Sequence, residues 1–262
     1  MKIRRHNYYA ALFSKAMSRK WKHRVYIGLY AGAGRARLRR TNQLVETSAI
    51  AVFKQEVPFT KYIFVDEDPR CIAALQTRIA ALDARFDVTL IQRDVNHAVD
   101  QIVEAIPRFD LGAGEGLLGL CFVDPFRIDL NFSLIRELSR FWLDFLVMLP
   151  FGFDLRRNLR RYLDHAENDR IAALLDLPDW RARWRQRNQS DRHFVRFAID
   201  MFDEAMARLD FRRREMRDTV TVNVTGMGVY LYSLALYSRH QLGEHFWRTT
   251  VKGTQPQIDL GI

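Results

Sequence analysis

Runs of consecutive apolar residues, each about as long as a β-strand, recur along the first part of the chain. They alternate with segments whose apolar residues have the spacing of one face of a helix. The runs predict five strands, at residues 25–30, 62–65, 88–91, 117–123 and 142–148. The helical spacing predicts helices at residues 7–20, 47–57, 69–82, 95–106 and 131–139. Uninterrupted apolar strands separated by helices are typical of parallel sheets with both faces covered. We therefore predict a doubly wound, Rossmann-like α/β core.

The pattern changes after residue 150. Residues 154–209 have helical spacing throughout, and two strands are predicted at 211–224 and 229–237, with glycines at 226 and 228 between them. Two strands joined by a glycine turn predict an antiparallel hairpin, which adds two strands to one edge of the sheet. The predicted segments are a basic N-terminal helix at 1–23, a core at 24–150, a helical insertion at 151–209, and the hairpin and tail at 210–262.

The carboxyl ends of the predicted strands carry residues suited to a ligand, and in open α/β sheets ligands bind outside these ends. After the first strand, Ala31, Gly32 and Gly34 form a turn in which the backbone can approach a ligand closely. Asp66 ends the second strand, where a carboxylate can accept hydrogen bonds from a ribose. Asp94 follows the third strand and can accept from an exocyclic amine. Each aspartate could instead cap the helix that follows it.

The fourth strand ends at Asp124, Pro125 and Phe126. A carboxylate or carbonyl beside a proline-stiffened turn, followed by an aromatic face, can hold a planar amine, although Asp-Pro is also common in ordinary turns. The order of glycine turn, acid, acid and Asp-Pro-aromatic along one sheet is more specific than any one motif. We therefore take these three residues as the candidate catalytic residues.

This order resembles that of class I S-adenosylmethionine-dependent methyltransferases, and in more detail the chain resembles the three-Cys-motif partner family, a methyltransferase-like group. The resemblance rests on YIGLYAGAG at 26–34, YIFVD at 62–66 and CFVDPF at 121–126, and it extends to about residue 248. It implies a class I methyltransferase fold with a mostly parallel seven-stranded sheet. It also implies S-adenosylmethionine as cofactor and, as partner, a cysteine-motif protein that resembles radical S-adenosylmethionine enzymes. The residues expected to hold the cofactor are those of the glycine turn with the two aspartates that follow it.

Two parts of the chain depart from the patterns of these groups. The family pattern Asp-x-Phe-Ala-Gly-Pro-Gly has Gly28 here in place of the aspartate and Ala33 in place of the proline. Amine-directed methyltransferases tend to have Asp-Pro-Pro-Tyr, whereas here a single proline is followed by Phe126 and Arg127. The missing carboxylate at position 28 would face the methionine end of the cofactor. Its loss motivates an alternative function, a scaffold that does not methylate and that binds another protein or nucleic acid.

Positive charge is confined to one part of the chain. Residues 1–40 contain 12 Lys and Arg and no Asp or Glu, whereas the other 222 residues carry 29 basic and 31 acidic side chains. Arg35, Arg37, Arg39 and Arg40 directly follow the glycine turn, where arginines suit phosphate contacts. We therefore predict N-methylation of a nucleic acid or nucleoside-like substrate, with these four arginines on its phosphates.

The composition excludes several other classes of protein. A hydrophobic fraction of 48% excludes a disordered chain, and no apolar run approaches the ~18 residues of a membrane span. Cys71 and Cys121 are too few for a disulfide framework, which fits a cytoplasmic protein. His240 and His245 are five residues apart, too far for one face of a helix, so no metal site is predicted.

Overall fold

The structure is a computed structural model that describes residues 2–38, 41–82, 85–108, 116–213, 219–224 and 229–253. The strands within these ranges are β1 (His23–Leu29), β2 (Arg35–Arg37), β3 (Leu44–Glu46), β4 (Lys61–Asp66), β5 (Val88–Gln92), β6 (Leu117–Val123), β7 (Leu143–Leu149), β8 (Val220–Val224) and β9 (Val229–Tyr237). The α-helices are α1 (Lys2–Met17), α2 (Ser48–Ala51), α3 (Pro69–Ala80), α4 (Val99–Ala105), α5 (Phe132–Leu138), α6 (Arg156–Asp164), α7 (Arg170–Leu175), α8 (Trp180–Gln186), α9 (Phe194–Ala207) and α10 (Gln241–Gly253). Short 3-10 turns lie at Val52–Lys54, Val95–His97 and Asp191–His193, and a π-helical turn lies at Phe151–Leu155.

Seven strands form one sheet in the order β5-β4-β1-β6-β7-β9-β8. The first five in this order are parallel, and β9 is antiparallel to both β7 and β8. This confirms the predicted Rossmann-like α/β fold, with a mostly parallel seven-stranded sheet and two antiparallel C-terminal strands. The strand order reverses at β1, whose last residue, Leu29, pairs with Val65 on one side and Val123 on the other. The loops after β1, β4, β5 and β6 therefore meet at one edge of the sheet.

The two faces of the sheet bury different side chains because alternate residues of a strand point to opposite faces. One face is rich in aromatic rings, including Tyr26, Phe64 and Phe122, and is covered by α1, α2, α3 and α10. The other face is largely aliphatic near β1, with Ile27 and Ile63, and is covered by α4, α5 and the helices of the insertion. The site at the sheet edge therefore has an aromatic layer beneath it on the α1 side.

Several predicted boundaries are wrong, and tertiary contacts account for the differences. The first helix begins at Lys2 rather than residue 7, because its first turn already packs on the sheet through buried Arg5 and His6. The helix predicted at 47–57 stops at Ala51 and continues as a 3-10 turn, which places Phe53 on Tyr62 with ring centroids 4.4 Å apart.

Other differences from the prediction lie within the core and in the C-terminal strands. The helix predicted at 95–106 is split into a 3-10 turn and α4. Within the strand predicted at 211–224, residues 211–213 are not in a strand and β8 begins at Val220, while residues 214–218 and the predicted hairpin turn at 226–228 lie outside the described residues. The two-stranded β2–β3 ribbon was not predicted at all, since β2 is exposed along its length and has no apolar run.

No helix within the described ranges is both long enough and apolar enough to cross a membrane. Cys71 on α3 is half-buried and Cys121 on β6 is buried, and both are free thiols.

Candidate functional site

The turn after β1 has three residues with positive φ: Tyr30 at 60°, Gly32 at 63° and Gly34 at 79°. A Cβ on Gly34 would lie 2.6 Å from Ile50 Cγ1 and 3.0 Å from Leu75 Cδ1, so close packing as well as φ requires glycine there. A Cβ on Gly32 would meet nothing within 4 Å. The backbone at Gly32 therefore borders open space, which is the position at which a ligand can approach it.

Asp66, at the end of β4, holds this turn in place. Its Oδ2 accepts a hydrogen bond from the Gly32 N–H at 2.7 Å, and its Oδ1 accepts one from the Asp68 N–H at 3.0 Å. Asp68, not Asp66, caps α3, by accepting from the Arg70 N–H at 2.8 Å. An ionised carboxylate has about four acceptor positions, so Asp66 can position the glycine turn and still accept from a ribose hydroxyl.

The loop after β5 joins the loop after β6. Asp94 caps the 3-10 turn by accepting from the Asn96 N–H at 2.8 Å, as the capping alternative predicted. The Asn96 amide donates to the Asp129 carbonyl at 2.6 Å and accepts from the Asn131 N–H at 2.7 Å. Burial, with the charges of Asp129 and Asp94, raises the pKa of Tyr30, so its phenol stays protonated and can donate a hydrogen bond. These contacts join the loops after β5 and β6 at the carboxyl edge of the sheet.

Asp124, at the end of β6, is already bound to an amine. Both of its oxygens lie 2.7 Å from Nζ of Lys2, in the first turn of α1. Burial raises the pKa of Asp124, and the neighbouring ammonium of Lys2 lowers it in part. Pro125 is buried, whereas the Phe126 side chain is 79% exposed. The pairing with Lys2 had no signal in the sequence, because the two residues are 122 positions apart.

The aromatic layer occupies the position of the missing family aspartate. A Cβ on Gly28 would lie 2.8 Å from Phe64 Cδ1 and 3.3 Å from Tyr26 Cε1. A larger side chain at position 28 would therefore displace the Phe64 ring. The residues present fit the nucleoside end of S-adenosylmethionine, through the open space at Gly32 and the Asp66 carboxylate, while position 28 supplies no carboxylate for the methionine end.

A cavity of about 940 Å³ lies beyond the loop after β6. Its lining includes three exposed arginines, Arg127, Arg161 and Arg170, of which Arg127 is three residues past Asp124. Asp154, at its floor, accepts hydrogen bonds from the Ile128 N–H at 2.7 Å, the Asn158 amide at 2.7 Å and the Tyr162 hydroxyl at 3.2 Å. The helical insertion is thus tied to the loop that carries the candidate catalytic residues, and sequence reasoning missed these arginines because nothing local connects them.

The predicted phosphate-binding arginines lie only in part within the described residues. Arg35 and Arg37 are exposed on the β2–β3 ribbon, and Nη1 of Arg37 donates to Oδ1 of Asn42 at 3.1 Å. The ribbon adjoins the glycine turn through the Thr47 N–H, which donates to the Gly34 carbonyl at 2.9 Å. Arg39 and Arg40 lie outside the described residues. Phosphate binding by this set stays a prediction.

Nowhere in the described parts of the chain do three or more His, Cys, Asp or Glu side chains group in a way that could hold a metal ion.

Comparison with known proteins bears on the fold. No protein-family model and no curated protein matches the chain. Among solved structures, a Legionella pneumophila protein of the DUF519 family superposes with a TM-score of 0.54 at 9% identity, over 96% of this chain and 90% of that one. A candidate O-methyltransferase from Klebsiella pneumoniae gives a TM-score of 0.44 at 14% identity, over 89% of this chain and 80% of that one.

A third similar structure is geranyl diphosphate C-methyltransferase from Streptomyces coelicolor, in complex with Mg²⁺, geranyl diphosphate and S-adenosyl-L-homocysteine. Its TM-score is 0.39 at 12% identity, over 87% of this chain and 78% of that one. The Legionella structure shows that the chain shares one fold with that protein over nearly its whole length. The resemblance to the three-Cys-motif partner family in particular stays a prediction.

Proposed function

We propose that the protein is an S-adenosylmethionine-dependent methyltransferase that acts on an amine nitrogen of a nucleic acid or nucleoside-like substrate. The observation that carries this proposal is the turn at Gly32. It borders open space where the strand order reverses, it is fixed by Asp66, and Asp124 ends the strand on the other side of β1. Ligands in open α/β sheets bind at this position.

Each strand end has a role in the proposed function. Asp66 accepts from the ribose hydroxyls, and Asp94 accepts from the adenine amine. Asp124 orients the acceptor amine and Phe126 stacks on the ring that bears it. S-adenosylmethionine supplies the reactive methyl group when bound, so the contribution of the chain is to position the acceptor and to exclude water.

The charges around the site favour an anionic, planar substrate. Arg127, Arg161 and Arg170 line the cavity, and Arg127 is three residues past Asp124. Phe126, two residues past Asp124, is exposed, and exposed aromatic faces stack on bases. Together they support a substrate that has both a base and a phosphate, and the two free thiols suit a cytoplasmic location.

Calorimetric titration with S-adenosylhomocysteine tests the cofactor site. We expect the wild-type protein to bind, and Asp66→Asn to bind at least tenfold more weakly, which corresponds to about 1.4 kcal/mol. Asp87→Asn is the matched control, because Asp87 precedes β5 at the opposite edge of the sheet and its Oδ1 pairs there with Lys61 at 2.6 Å. Unchanged affinity in Asp66→Asn, or no binding by the wild type, would contradict the proposed site.

The Gly28 observation favours a second candidate function. Because the Phe64 ring fills the space beside Gly28, the chain offers no carboxylate there for the methionine ammonium. A methyltransferase-like scaffold would then bind a protein, such as a three-Cys-motif protein that resembles radical S-adenosylmethionine enzymes, or nucleic acid. This candidate is favoured if the titration shows no binding while co-expression with such a protein yields a stable complex.

A further inference from the structure

The ammonium group of Lys2 lies in a pocket built from three other elements of the fold. Its Nζ is 2.7 Å from both oxygens of Asp124 at the end of β6 and 3.8 Å from the sulfur of Met148 on β7. It also lies 6.0 Å from the centre of the Tyr232 ring on β9. A carboxylate, a polarisable sulfur and an aromatic face together are suited to a cationic amine.

This pairing is an unusual use of a partly buried carboxylate. The Lys2 and Asp124 side chains are 28% and 15% exposed, so both groups lose hydration when the pair forms. Such pairs add little net stability, yet an acidic side chain left there without a partner is costly. Asp124 therefore requires an N–H donor at this position, whether it comes from Lys2 or from another molecule.

The donor that Lys2 supplies lies on the part of α1 that is easiest to move. The first N–H groups of a helix have no partner within the helix, and helix ends open locally at low cost. Lys2 is the first residue of α1, whereas the buried Tyr9 and Phe13 hold the helix to the sheet further along. The Lys2 side chain can therefore separate from Asp124 without loss of the contacts that hold the helix to the sheet.

We propose that Asp124, Met148 and Tyr232 form a binding site for a primary amine, which Lys2 fills in the chain alone and which the amino group of the acceptor substrate occupies in its place. This inference rests on the proposed function, in which Asp124 faces the acceptor. A neutral acceptor amine has fewer N–H donors than the ammonium of Lys2, but it would donate to the same two oxygens, so the two groups exclude one another. Substrate binding therefore displaces the Lys2 side chain from Asp124.

Rescue of a truncated side chain by a small amine tests the site itself. Lys2→Ala removes the internal amine, and n-butylammonium is the probe, with n-butanol as its neutral counterpart. We expect n-butylammonium to raise the midpoint of thermal unfolding of Lys2→Ala in a saturable manner, and n-butanol to have no such effect. Lys15→Ala is the matched control, since Lys15 lies on the same helix in an exposed pair with Glu56, and it should show no rescue. Equal responses of the two variants to n-butylammonium would overturn the proposal.

Acylation of lysines in the intact wild-type protein provides a test that needs no folded Lys2 variant. With acetic anhydride and peptide mass spectrometry, we expect Lys2 to react several-fold more slowly than the exposed Lys15 and Lys20, and Asp124→Asn to remove that difference. Addition of S-adenosylhomocysteine with adenosine or cytidine should increase the reaction at Lys2 alone. Reaction of Lys2 at the rate of Lys15 in the free wild type would overturn the proposal.

The same experiments separate this inference from the proposed function. Suppose that S-adenosylhomocysteine binds, but neither nucleoside exposes Lys2 and n-butylammonium gives no rescue. The proposed amine site is then wrong, while the proposed methyltransferase function is not contradicted. If n-butylammonium rescues Lys2→Ala and S-adenosylhomocysteine does not bind, the proposed amine site is supported and the proposed methyltransferase function is contradicted. Exposure of Lys2 by a nucleoside identifies an amine on a base, and rescue without such exposure identifies an aliphatic amine.

Discussion

His6 and Asp144 are buried titratable side chains on the α1 side of the sheet. Asn7 Oδ1, 2.9 Å from Nδ1 of His6, can only accept, so Nδ1 carries the proton and Nε2 accepts from the Tyr26 hydroxyl at 2.8 Å. Burial lowers the pKa of His6 from 6.5 to about 4. Burial raises the pKa of Asp144 from 3.8 to about 6, partly offset by hydrogen bonds from Ser238 and Tyr9.

These two shifts give opposite dependences of stability on pH. Between pH 6.5 and 4 the unfolded chain protonates His6 and the folded chain does not, so its contribution to stability falls as the pH falls. Over pH 4 to 6 the folded chain holds the proton of Asp144 and the unfolded chain does not, so that contribution rises as the pH falls.

We expect the two contributions to be separable in single variants. On going from pH 7 to 4.5, His6→Gln should gain about 2 kcal/mol in unfolding free energy relative to wild type, and Asp144→Asn should lose about 2 kcal/mol. Urea unfolding at the two pH values measures both differences. Shifts of the same sign in the two variants would contradict these pKa assignments.

At the scale of the element, two basic surfaces flank the site. The β2–β3 ribbon carries Arg35 and Arg37 next to the glycine turn, and the insertion contributes Arg161 and Arg170 to the cavity beyond Asp124. A third arginine-rich element, α8, buries Trp180 and Trp184 and exposes Arg183 and Arg185 to solvent. Arg183 and Arg185 are suitable controls, since they are exposed arginines that do not line the cavity.

The arginines that contact phosphate should change the salt dependence of RNA binding. For a short single-stranded RNA, we expect Arg161→Ala with Arg170→Ala to reduce the slope of log affinity against log salt by about 1.4, the effect of two lost phosphate contacts. Arg35→Ala with Arg37→Ala should do the same if the ribbon also contacts the RNA. Arg183→Ala with Arg185→Ala should leave the slope unchanged. Fluorescence anisotropy over a salt series measures it, and equal slopes in all variants would count against phosphate contacts at both surfaces.

The elements that the sequence predicted well are those whose burial follows a regular pattern. The five parallel strands appeared as continuous apolar runs because both faces of each are covered. The exposed ribbon had no such pattern, and the first turn of α1 could not be predicted because it packs on the sheet through Arg5 and His6, a tertiary contact with no local signal. Strand ends could be predicted for the same reason as the strands, so Gly32, Asp66 and Asp124 were brought to one edge as expected. The pairing of Asp124 with Lys2 and the grouping of the cavity arginines could not be predicted from the sequence, because both depend on the tertiary fold.

The basic first 40 residues lie in part at the carboxyl ends of the strands and in part at their amino ends. Helix α1 is 16 residues long, about 24 Å at 1.5 Å per residue. It begins at Lys2 on the carboxyl edge, and the chain just past its end places Lys20 beside Leu118 and Trp142 at the amino ends of β6 and β7. The positive charge therefore identifies the site only where Lys2 and the β2–β3 ribbon contribute it.

A crystal structure of the protein with S-adenosylhomocysteine is the most direct test of the proposed cofactor site. We expect the ribose to lie over Gly32 with its hydroxyls on the Asp66 carboxylate and the adenine amine near Asp94. Density for the ligand away from this edge of the sheet, or none at a saturating concentration, would contradict the assignment of the protein as an S-adenosylmethionine-dependent methyltransferase.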